Sequence, residues 1–233
     1  MIWSFVEKIL EVAPVQRIEE GERVFFDKKI YPVIEPCVEK IGCHTLTGLI
    51  DFYNSLDLDD RDRAMFLVDD FDRVSIVSEI FGVEKQREVF ITAKAYDQEK
   101  PFNRYYNHED FMIKVMSCFV QDETTEKVLR IIGNLKVEAG LQVTDDGLSQ
   151  QVTAKTGITK VENIELPNPV VLRPYRTFMD IEQPDSAFIL RLKQADGVSC
   201  ALFEADGCAW KNDAIARIKG FIGQNFPDVQ VIA

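Results

Sequence analysis

Hydrophobic positions along this chain recur by threes and fours in some stretches and by twos in others, and the changes of period mark out its elements. Residues 1–13 carry two apolar rows, Ile2-Phe5-Ile9-Val12 and Trp3-Val6-Leu10, which predict a helix apolar over much of its circumference and ended by Pro14. Such a helix wants a partner surface. The short β-prone runs 15–18, 23–26 and 29–34 predict a small meander, with Pro32 and Pro36 pushing its last run to an edge. Thr45 stands where a helix cap would, before Leu46, Leu49, Ile50, Tyr53 and Leu56 at helical spacing, with Phe52 widening the stripe.

Runs 64–68 and 73–81 predict two strands joined by a turn at Asp69-Asp70-Phe71-Asp72, and 89–96 predicts a third. The polar span 97–108, with Phe102, Tyr105 and Tyr106 beside Pro101, reads as an ordered loop or a lid. Asn107 precedes a helical stripe of Phe111, Met112, Val115, Cys118 and Phe119; Asp122 or Thr124 opens a second, of Val128, Ile131, Ile132 and Leu135. From Leu141 the period falls to two. Asp145-Asp146-Gly147 reads as a hairpin turn between 141–144 and 148–154, followed by strands at 159–166, 169–178 (interrupted at Pro174), 187–193 and 199–204. A last helix at 212–223, with Ile215, Ile218 and Ile222 on one face, and a strand at 229–232 end the chain. The sum is an α+β fold of antiparallel sheets with segregated helices and a sheet-rich C-terminal unit closed by a helix. The expected division is 1–138 against 139–233, the two closely packed or forming one domain.

Composition narrows the partners. In 233 residues, 46% are hydrophobic, and 39 acidic against 27 basic side chains give a formal charge of −12. No apolar run approaches the roughly 18 residues of a membrane span, and the start lacks the basic residues and cleavage site of a signal peptide, so no membrane and a cytoplasmic place are expected. The acidic balance argues against direct nucleic-acid binding. Five cysteines, Cys37, Cys43, Cys118, Cys200 and Cys208, form no CxxC pair and read as free thiols; Cys37, Cys43 and His44 match no zinc spacing. His44 and His108, the two histidines, read as boundary or packing residues.

Candidate chemistry is sparse. Residues 57–72 hold seven aspartates and two arginines, and Asp57, Asp59 and Asp60 begin like a calcium loop. The sharp-turn glycine is missing and Val68 stands where the bidentate glutamate should be, so a solvated acidic turn competes with a metal site. GxGxxG, GxxxxGK[ST] and GxSxG are all absent, and no cofactor is expected. Two segments place arginines among aromatics in this acidic chain: Arg173-Pro174-Tyr175-Arg176-Thr177-Phe178 and Phe102-Asn103-Arg104-Tyr105-Tyr106. Such groupings suit anion or partner recognition, so Arg173, Tyr175, Arg176, Arg104, Tyr105 and Tyr106 are the candidate binding residues. The competing reading pairs Arg173 and Arg176 with nearby acids such as Asp180 or Glu182.

The order of the helix after His44-Thr45-Leu46, the helix around 126–135, the turn Asp145-Asp146-Gly147-Leu148-Ser149 and the tail from Arg173-Pro174-Tyr175-Arg176-Thr177-Phe178 through Gln183-Pro184, Phe188 and Leu190-Arg191-Leu192 resembles the phage and prophage family typified by YfdQ, over about residues 41–226. That resemblance implies a phage or prophage origin, a place in an infected or lysogenic bacterial cell and an accessory role, with no catalytic residue to carry over. The expectation is a non-enzymatic accessory protein that binds a host protein or a small anionic ligand as a homo-oligomer. The alternatives are a metal-dependent hydrolase or nuclease accessory using the acidic cluster, and a nucleic-acid-related role in recombination or DNA mimicry.

Overall fold

Contacts divide the chain into Met1–Cys37 and Val38–Ala233. The computed structural model describes residues 17–20, 23–26, 39–82, 85–134, 142–145, 150–156, 160–165, 168–195 and 197–233. In the first unit, β1 (Arg17–Glu20) and β2 (Arg23–Phe26) pair antiparallel, Arg17 opposite Phe26. The helix expected at 1–13 and the third run of the meander lie outside the described residues.

The second unit opens with β3 (Ile41–Cys43), α1 (Leu46–Ser55), α2 (Leu58–Arg63), β4 (Ala64–Asp70), β5 (Arg73–Ser78) and β6 (Val89–Lys94). Thr45 caps α1 as its position predicts, its hydroxyl accepting from Gly48 N at 3.1 Å. The Asp180 carboxylate, distant in sequence, accepts from Leu46 N (3.1 Å) and Thr47 N (3.0 Å), placing negative charge on the positive end of the helix. Then come β7 (Tyr105–Asn107), α3 (His108–Cys118, capped by Asn107), α4 (Glu123–Asn134), β8 (Gln142–Asp145), β9 (Gln150–Thr156), β10 (Lys160–Glu165), β11 (Val170–Leu172), β12 (Ser186–Ala195), β13 (Gly197–Glu204), α5 (Trp210–Asn225) and β14 (Val231–Ile232).

These strands build three sheets: β14-β4-β5-β6-β3, β11-β12-β13-β7 and β10-β9-β8. Pairing is antiparallel except at the two edges of the five-stranded sheet, where β3 runs parallel to β6 and β14 parallel to β4. Both edges are short, which leaves little unpaired backbone to recruit another strand. α1 and α5 cover one face of this sheet, burying Leu46, Leu49, Tyr53, Ile218 and Ile222 against Phe66, Val74, Ile76, Ile91 and Ala93. A second core lies between the α3–α4 pair and the four-stranded sheet. Phe111, Val115, Phe119, Val128 and Ile132 meet Leu172, Phe188, Leu190, Leu192, Cys200 and Leu202, the alternate residues of their strands. The fold is α+β. Among the described residues no helix is long and apolar enough to cross a membrane.

Three expectations change. The chain does not divide at 138/139, because α3 and α4 precede that point and their apolar faces close on β11–β13, which come after it. Of the two readings of 97–108, ordered loop or lid, the ordered loop holds for 97–104, where Phe102 is buried in the second core and Asn103 N donates to Leu202 O at 2.7 Å; what changes is its end, which is β7, a strand too short to show a period. Of the run 169–178, Val170–Leu172 is strand; Pro174 has no N–H to extend the ladder, and residues 173–185 form an irregular strap.

Residues 38–138 expressed alone lack β11–β13 and β14, so both cores would be open. The fragment is expected to show no cooperative thermal transition in near-UV circular dichroism, and a sharp one would restore the division at 138/139.

Candidate functional site

The strap after β11 carries three of the six candidate residues, and its backbone sets where they point. Val120 N donates to Arg173 O (2.8 Å) and Tyr175 N to Cys118 O (2.9 Å), holding the strap against the link between α3 and α4. Arg173 thereby faces Asp122. Its Nε and Nη2 donate to Asp122 Oδ2 (3.2 and 3.0 Å) and its Nη1 to Glu182 Oε1 (2.6 Å). The other Asp122 oxygen accepts from Thr125 N at 2.8 Å, so one carboxylate caps α4 and grips the strap. Burial works against the Asp122 charge, but the Thr125 amide and the Arg173 guanidinium outweigh it and hold the carboxyl below its ordinary pKa.

Arg176 goes inside: its side chain is 1% exposed. Nη1 donates to Glu204 Oε1 at 2.6 Å, Nη2 donates to the Ser186 hydroxyl, and that hydroxyl donates to Asp206 Oδ2. The guanidinium carbon lies 3.8 Å from the Trp210 ring centre, with Phe102 at 5.6 Å and Phe188 at 5.9 Å. Burial lowers the Arg176 pKa from its ordinary value and Glu204 opposes that shift; an arginine under these conditions stays charged. The next residues cross to the first sheet. The Thr177 hydroxyl donates to Phe71 O in the β4–β5 turn, and Phe178 is buried in the core beneath α1 and α5. The buried Gln183 amide ties the turn together, accepting from Arg176 N (3.0 Å) and donating to Phe178 O (3.0 Å).

The second arginine-aromatic segment resolves differently. Arg104 Nε donates to the Tyr106 hydroxyl, its guanidinium lies 4.8 Å over the Tyr106 ring, and it reaches Glu99 at 3.4 Å. Tyr106 packs on the second core, whereas the exposed Tyr105, on the opposite side of the strand, meets Phe203 at 5.8 Å between ring centres. The two segments do converge, at the contact between Phe102 and Arg176, but they do so inside the protein. Tyr175 is half-buried with its amide engaged.

The acidic stretch serves local structure: Asp57 caps α2 through Asp60 N (2.9 Å), Asp60 pairs with Arg63 (2.5 Å), and Asp69 accepts from Ser75 (2.8 Å). Among the described residues no three His, Cys, Asp or Glu side chains come together as metal ligands. His44 stacks on Tyr96 and bonds Lys94 O, and His108 bonds Ile132 O, each at a helix boundary. Burial pushes the Cys200 thiol up to about 12, which removes it from thiolate chemistry.

Sequence reasoning found Arg176 but missed Glu204, Ser186, Asp206 and Gln183, which sit in strands and turns with no local motif. It also missed a cavity of about 320 Å³ whose wall includes Tyr53, Arg61, Asp62, Met65, Glu79 and Asp228. These residues come from α1, α2, β4, the end of β5 and the segment before β14, so no spacing could show them as one set. Comparisons with family models, with curated proteins and with solved structures find no match.

Glu204→Ala strands a charged guanidinium inside the protein and is expected to cost about 3–5 kcal/mol in urea unfolding, against under about 1 kcal/mol for Arg104→Ala on the surface. Equal small losses would mean that Arg176 finds another partner. Because the Asp122 pKa is depressed by folding, its stabilisation is present above the unfolded value of about 3.9 and is lost as pH falls through the lower folded value. Asp122→Asn is expected to flatten the acid limb of stability against pH relative to wild type.

Proposed function

We propose that this chain is a non-enzymatic accessory protein of phage or prophage type, acting in the cytoplasm of the bacterial cell by binding another protein, and that it works as a homo-oligomer. The observation that carries the reading is the outer face of α3. Ile113 and Met116, three residues apart on one side of that helix, are 54% and 59% exposed, while Phe111 and Val115 on the other side are buried. Apolar side chains presented together on a polar surface mark contact sites for other chains. The phage origin and the accessory role rest on the resemblance of the sequence to the YfdQ-like family. Binding an anion at Arg173 and Arg176 has less support, because both guanidiniums are already held by carboxylates of the chain itself.

Native mass spectrometry and light scattering across a dilution series test the assembly. Wild type is expected as a discrete oligomer, and Ile113→Glu/Met116→Glu as a monomer with an unchanged melting temperature. A wild-type monomer at every concentration removes the homo-oligomer from the reading, and an oligomer that survives the double substitution moves the contact away from α3.

A further inference from the structure

We draw no further inference here: the strongest candidate, the cleft of about 320 Å³ where α2, β4 and the segment before β14 meet, sets the exposed carboxylates of Asp62, Glu79 and Asp228 beside the Arg61 guanidinium, and nothing in the structure shows whether a ligand there would carry positive or negative charge.

Discussion

A guanidinium with 1% of its side chain exposed imposes conditions on everything around it. Its charge persists when buried, so the surroundings must supply acceptors, and they supply them from several parts of the chain at once. Glu204 comes from the end of β13, Ser186 from the start of β12, and Asp206 from the turn that leads to α5. Trp210 lays its ring over the plane, and Asn103, from the loop before β7, donates to the far oxygen of Glu204 at 3.3 Å. None of these contacts can form until the four-stranded sheet has its register and α5 has its entry point. A buried ion pair of this kind adds little net stability over a packed hydrophobic pair, because desolvation offsets much of the attraction. Its consequence is selectivity among packings, since any arrangement that omits Glu204 leaves a bare charge inside.

The same residue explains how the two cores are held in relation. Arg176 lies beside Phe102 and Phe188 of one core, and two positions later Phe178 enters the other. Between them Thr177 donates to the β4–β5 turn and Gln183 closes the strap on itself. Further along the strap Asp180 sits on the N-terminus of α1, and at its start Arg173 holds the residue that caps α4. Acidic side chains on this path thus answer helix ends or arginines rather than facing solvent alone. α5 bridges both layers: Trp210 at its start belongs with Arg176, and Ile218 and Ile222 two and three turns later lie on the five-stranded sheet.

Where a segment buries one face, its period exposed it. Leu46, Leu49 and Tyr53 on α1, Phe111 and Val115 on α3, and Ile218 and Ile222 on α5 are all read correctly from spacing, because the buried face repeats within one element. What spacing cannot carry is which element meets which. The parallel pairing of β14 with β4 joins Val231 to Phe66 across most of the chain, and β7 is three residues long. The candidate site shows the same limit. Arg173 does find Glu182, nine residues on, as local pairing suggests, but its other partner is Asp122. Arg176 is polar by composition and buried by context. Nothing in its neighbours announces that Glu204 will neutralise it from the next hairpin.

With both strap arginines answered by carboxylates of the same chain, neither offers a free guanidinium to a ligand. An anionic ligand would be opposed by the net field of −12 and would also have to displace Asp122 or Glu204 from its arginine. The anion recognition suggested by arginines and aromatics in the sequence therefore loses its basis at the strap, because the fold turns those guanidiniums onto carboxylates of the same chain.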